Sequence, residues 1–186
     1  LAESYFSILL KIATQQENKM EAYKGLLRCQ YKAQKWEEAS ITAQQILADK
    51  SAATDDIQMA NMSLFHYNVN NKDTSAAYLV LSKIIKSNPS TITADAHYQL
   101  AALYLAQNKL SLAEKTAFDV IKKQAAYDYW VTKAYILLGD IYTAQKDYFN
   151  AIATYKSVAE NANDATLKLI AQDKLKAITE STNTVK

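Results

Sequence analysis

Residues 135–155 read Tyr-Ile-Leu-Leu-Gly-Asp-Ile-Tyr-Thr-Ala-Gln-Lys-Asp-Tyr-Phe-Asn-Ala-Ile-Ala-Thr-Tyr. Two apolar stripes at helical spacing flank a polar break, Thr143–Asp147. One stripe carries Tyr135, Leu138, Gly139 and Tyr142, the other Ala151, Tyr155 and then Val158. A set of similar residues lies 38 positions upstream: His97, Leu100, Ala101, Tyr104, Ala113, Ala117 and Val120. Identical spacing in two segments marks a repeat, and each copy is a helix, a short polar turn and a second helix.

The pattern persists further upstream in looser form. Leu64, Ala77, Leu81 and Ile84 precede Pro89, and Tyr23, Leu26, Trp36, Ala39, Ala43 and Ile46 come before them. Ala2, Phe6 and Leu9 read as a lone second helix. The spacing predicts helices over 2–15, 18–33, 36–49, 54–70, 74–87, 91–107, 110–123, 127–145, 148–161 and 164–180. The expected organisation is one all-α domain over 1–180. Residues 1–15 are an orphan helix, and 18–49, 54–87, 91–123 and 127–161 are hairpins. Residues 164–180 form a capping helix with its stripe on Leu167, Ile170, Ala171, Leu175 and Ile178, and 181–186 form a frayed tail.

Composition agrees with this reading. There are two glycines and one proline in 186 residues, too few for the tight turns of a sheet protein. The formal charge of +2, from 21 basic and 19 acidic residues spread along the chain, gives no concentrated basic face for nucleic acid. A single cysteine, Cys29, excludes an internal disulfide framework. No apolar run is long enough to span a bilayer. The start at Leu1 reads as a processed product or a piece of a longer protein.

The aromatic, Leu-Gly, Tyr, Ala, aromatic order of Tyr135, Leu138, Gly139, Tyr142, Ala151 and Tyr155 resembles the tetratricopeptide repeat family. The likeness covers residues 1–162. The units depart from that family in being three or four residues longer than its 34-residue repeat, with Ala101 in place of a glycine and Pro89 as the only terminal proline. The resemblance implies about ten helices in a right-handed superhelical stack, an α-solenoid. It also implies a groove lined by the first helix of each hairpin, which binds peptides or partner proteins. Carried onto this sequence, the groove positions are Lys24, Arg28 and Lys32, then Met62 and His66, then Tyr98, Ala102, Leu105, Ile136, Asp140 and Thr143. One branch of the family clamps C-terminal carboxylates with Lys and Asn. Lys24 fits its first lysine, but Arg28 stands where the asparagine belongs, and Ala102 and Asp140 occupy the later equivalents. The clamp is therefore absent.

Each candidate residue also has a plainer reading. Lys24, Arg28 and Lys32 form a solvated strip at i, i+4, i+8 beside Glu21. His97 fills the aromatic slot of its repeat, and neither it nor His66 has ligand-spaced partners for a metal. Cys29 reads as a small, partly buried hydrophobe. Glu37, Glu38, Asp55 and Asp56 complement helix N-termini. Tyr127, Tyr129 and Trp130 cement a junction between repeats or form a recognition patch. No phosphate-binding loop, nucleophile elbow or zinc-protease motif is present.

These readings lead to a non-catalytic interaction module that needs no cofactor or metal and binds a protein or peptide rather than nucleic acid. It carries no membrane-inserting segment. The alternative is a structural spacer or assembly segment of a larger bacterial envelope protein, self-associating through an orphan first helix that leaves Leu1, Phe6, Leu9 and Leu10 exposed. The segment Asp128–Asn161 resembles repeat proteins of envelope-associated bacterial systems. That implies a periplasmic or envelope-associated location, with the cytoplasm as the alternative.

Overall fold

The structure is a computed structural model and describes residues 1–183. It is all-helical. Ten α-helices run α1 (Ala2–Ile12), α2 (Gln16–Lys32), α3 (Trp36–Ala48), α4 (Thr54–Asn70), α5 (Thr74–Ile84), α6 (Thr91–Ala106), α7 (Leu110–Lys123), α8 (Asp128–Ala144), α9 (Tyr148–Asn161) and α10 (Ala165–Asn183) among the described residues. Contacts gather them into two compact units, Leu1–Ser87 and Asn88–Lys186. The lone proline, Pro89, stands just inside the second unit, before a Ser90–Thr93 capping box that opens α6.

Four hairpin turns fix the repeat. Gln34, Lys72, Asn108 and Lys146 hold positive φ of 55°, 60°, 57° and 63°, at successive steps of 38, 36 and 38 residues. In each turn the next residue's N–H reaches back five residues: Lys35 to the Gln30 carbonyl, Asp73 to Asn68, Lys109 to Tyr104 and Asp147 to Tyr142, at 2.8–2.9 Å. The left-handed residue itself donates three residues back, to Tyr31, Val69, Leu105 and Thr143. This paired bonding is the Schellman close of a helix, and here it is built without glycine. Asp73 and Asp147 then cap α5 and α9 through their side chains.

Packing explains the alanines. Ala39, Ala77, Ala113 and Ala151, one per hairpin at the same register, are completely buried. Cores form between consecutive helices: Leu27, Ala43 and Ile46 with Ala60 in the first unit; Ala101, Ala117, Leu138 and Ile141 in the second; and Tyr155, Val158, Leu167 and Ala171 beneath α10. Gly139 gives way to the Tyr155 ring, since a Cβ there would lie 2.3 Å from it. In each unit the first helices of the hairpins touch one another, α2 with α4, α6 with α8 and α8 with α10. The second helices of neighbouring hairpins do not. Each unit thus has an inner face built by its first helices.

Several expectations are corrected. α5 ends at Ile84, not 87, because Ser87 turns back to the Ile84 carbonyl ahead of the restricted Asn88–Pro89 pair. α1 ends at Ile12. Phe6 is not exposed: its ring lies over Gly25 of α2, where a Cβ would meet it at 2.3 Å, and Leu9 and Leu10 are half-buried beside it. The bare stripe on α1 is Leu1, Tyr5, Ile8 and Ile12 instead. Ile170 is exposed on α10. Of the expected frayed tail, Ser181, Thr182 and Asn183 are helical, with the Ser181 and Thr182 hydroxyls donating to the Ile178 carbonyl. Residues 184–186 lie outside the described residues. Asp164 caps α10 by accepting the Leu167 N–H at 2.9 Å.

Candidate functional site

The inner face of the first unit carries the basic strip, but Asp56 of α4 reaches into it. Lys24 is held at 3.1 Å from Asp56 and 2.9 Å from Glu21, and Arg28 lies 3.8 Å from the other Asp56 oxygen. The Glu21 bond, seconded by Asp56, raises the Lys24 pKa. Lys32 is exposed. Glu21 and Asp56, the latter a residue whose sequence position suggested only a helix-dipole role, thus offset part of the strip's charge around Lys24. Beside it is a recess lined by Met20, Glu21, Lys24, Asp49 and Ser51. The Ser51 hydroxyl, with Gln16 and the Ser51 N–H, pulls the Asp49 carboxyl down to about 2.

Met62 and Ile136 do not line a groove, because both side chains are buried in the core. His66 is half-buried in an aromatic cluster. Its ring stacks on Trp36 at 4.5 Å, meets Tyr31 and Phe65 edge-on, and shares a 3.1 Å hydrogen bond with the Tyr31 hydroxyl. Burial pushes its pKa down to about 4, so it is neutral near pH 7. His97 is buried and bonds the Thr93 carbonyl through Nδ1. Cys29 is a half-buried free thiol. Among the described residues no group of three His, Cys, Asp or Glu side chains is placed to hold a metal, and no helix is long and apolar enough to cross a membrane.

The second unit gathers more chemistry on its inner face. Tyr98 of α6 lies against Trp130 of α8, ring centroids 5.6 Å apart, and Tyr129 meets Trp130 edge-on at 5.2 Å. The Lys133 ammonium sits among all three rings, 4.3 Å from the Tyr98 centroid, 4.6 Å from Trp130 and 5.6 Å from Tyr129. Burial lowers the Lys133 pKa while the charge of Asp95 opposes the shift. Asp95, half-buried on α6 and bonded by the Gln99 amide at 3.0 Å, has its carboxyl pushed up to about 6, chiefly by burial. Tyr98 is raised to about 12, again by burial first and then by the charges of Asp140 and Asp95. Tyr127 is half-buried at the start of α8, its carbonyl accepting the Trp130 and Val131 N–H groups.

Farther along α8, Asp140 Oδ1 accepts both the Tyr155 hydroxyl and the Lys174 ammonium of α10, each at 2.6 Å. These groups, with Thr143, Ile178 and Ser181, line a shallow recess. Burial, then the bond to Asp140, pushes the Tyr155 hydroxyl pKa up. Ala102 and Leu105 are half-buried between α6 and α8.

Of the positions singled out in the sequence, Tyr98 and Trp130 thus meet in one site, Asp140 lies on the same face, and Lys24, Arg28 and His66 belong to the other unit. Lys133, Asp95 and Lys174 were missed. Lys133 stands three and four residues beyond Trp130 and Tyr129, a helical neighbourhood visible in the sequence. Asp95 occupies its register one repeat earlier, 38 positions upstream.

These features define a helical hairpin-repeat protein with an aromatic, charge-bearing inner face. No protein-family model matches the chain, and no curated protein matches it by sequence. Solved structures do match. The crystal structure of BtubC (BKLC) from P. vanneervenii aligns with 98% of this chain and 83% of its own at a TM-score of 0.74 and 15% identity. At that identity the likeness establishes the helical fold alone.

Proposed function

We propose that this chain is a non-catalytic protein-interaction module that holds a peptide segment on the inner face of its second unit. The observation that carries the reading is the Tyr98–Trp130–Tyr129 cluster closing around Lys133. Aromatic rings on a rigid helical surface offer large contact area with little ordering entropy. The tetratricopeptide resemblance supports the same face, since the groove it implies is lined by first helices. The resemblance of 128–161 to envelope-associated bacterial repeats supports a periplasmic or envelope-associated setting. A random peptide library selected on the purified chain tests the proposal. Selected peptides should lose binding to a Tyr98→Ala, Trp130→Ala variant and keep it with Leu112→Ser, Phe149→Ser, two exposed positions on the second helices. Loss with the second variant and not the first would sink it.

One observation favours a second reading, an assembly segment. The α1 stripe of Leu1, Tyr5, Ile8 and Ile12 is solvent-exposed over three turns. Sedimentation that shows association of the wild type, abolished by Ile8→Glu, Ile12→Glu, would support it. A monomeric wild type at high concentration would not.

A further inference from the structure

The Lys133 ammonium has three N–H donors, yet no hydrogen bond or ion pair engages them among the described residues. Its neighbours are π faces, which attract the charge but accept no strong hydrogen bond. Exposed lysines satisfy their donors with water, but Lys133 is half-buried against three rings and has given up part of that hydration. Two other inner-face lysines contrast with it, while Lys32 is exposed to water. Lys24 is closed by Glu21 and Asp56, and Lys174 by Asp140. Asp95 acts on Lys133 only through its field and makes its own bond to Gln99.

On this basis, and resting on the peptide-binding reading above, we infer that Lys133 is the anchor for a carboxylate side chain of an acidic, partly apolar peptide. Tyr98, Tyr129 and Trp130 then pack the apolar residues beside that carboxylate. The preorganised ammonium supplies charge-assisted hydrogen bonds, and the rings hold it in place before the ligand arrives. Because the Asp95 carboxylate shares the neighbourhood, it repels the incoming group, and removing its charge strengthens binding.

The test uses a fluorescein-labelled nonapeptide alternating Glu and Leu, its Gln-for-Glu counterpart, and a version with phosphoserine for Glu. Each is titrated against the full chain by fluorescence anisotropy at physiological salt. The Glu peptide should bind about tenfold or more tightly than the Gln peptide. Lys133→Met should abolish that preference, Lys133→Arg should keep it within about threefold, and Asp95→Asn should tighten the Glu peptide. Thermal melts by circular dichroism confirm that each variant is folded. A phosphoserine peptide that binds while the Glu peptide does not overturns the choice of a carboxylate. Equal binding of the Glu and Gln peptides, lost on Trp130→Ala, overturns the anchor while leaving the peptide-binding face intact. No binding by any of the three overturns the anchor, and the library selection above decides the peptide-binding face separately.

Discussion

The Tyr155 ring packs against Gly139, so close that a methyl group at Gly139 would overlap it by more than an ångström. Tyr155 cannot retreat easily, because its hydroxyl is tied to Asp140 and its ring is buried under α10. Gly139→Ala should therefore cost about 2 kcal/mol in urea unfolding, within the range for overpacked cores, and Gly139→Ala with Tyr155→Leu should recover part of it. Gly25→Ala meets Phe6 at the same distance, yet α1 has no buried residue, so Phe6 can swing away. Its cost should stay below about 1 kcal/mol. Equal costs at the two glycines would refute the distinction.

The turn residues offer the opposite sign. Lys72 and Lys146 hold left-handed φ, which costs an L-residue roughly 1–2 kcal/mol that glycine avoids, partly offset by glycine's greater freedom when unfolded. Lys72→Gly and Lys146→Gly should each stabilise the protein by about 0.5–1 kcal/mol, read as a rise in urea midpoint at constant slope. Asn108→Gly should gain less, since asparagine tolerates this conformation.

Acid acts on His66 and Asp95 in opposite senses. The folded His66 pKa of about 4 lies below its ordinary value, so the unfolded chain takes up the proton first. Its contribution to stability is intact above about pH 6.5 and is lost as pH falls towards 4. The folded Asp95 value of about 6 lies above its ordinary one, so the folded chain binds the proton first. Its contribution is complete below about pH 3.8 and is lost as pH rises through 6. Asp95→Asn should raise stability at pH 7 by on the order of 1 kcal/mol and, by removing the opposing contribution, leave a steeper loss of stability as pH falls from 6 to 4. His66→Phe should leave the Asp95 contribution unopposed, so that stability rises as pH falls from 6 to 4. Unchanged pH profiles in both variants would show that the two sites do not govern it.

Asp140 joins three helices through one oxygen. Asp140→Ala leaves the Tyr155 hydroxyl and the Lys174 ammonium without it, and should cost about 1–2 kcal/mol. Asp140→Asn, which keeps an acceptor for Tyr155 and discards the ion pair, should cost less than half as much. The partly exposed Lys174 contributes little by itself.

The helices are legible in the sequence because their signal is local. Apolar residues at helical spacing, with small residues at Gly139, Ala151, Ala101 and Ala113, mark where paired helices approach closely, and all four are buried. The turn chemistry is not legible, because a Schellman close advertised by glycine is here carried by Gln34, Lys72, Asn108 and Lys146. Site residues follow the same rule. Tyr98 and Trp130 draw notice as aromatics, but their meeting around Lys133 depends on how α6 lies against α8. The reach of Asp56 to Lys24 likewise crosses between hairpins, as does the seat of Phe6 on Gly25. Met62 and Ile136 are misplaced by the transferred groove register, which meets the core at those two positions.

The turn inside each hairpin is fastened by main-chain bonds, and main chain is indifferent to spelling. Ala-Gln, Asn-Lys, Gln-Asn and Gln-Lys close the same bend four times within one molecule. Mutation can therefore wander through these turns at a cost of about a kilocalorie per step while the bend survives. A bend held in this way can outlast the letters that write it.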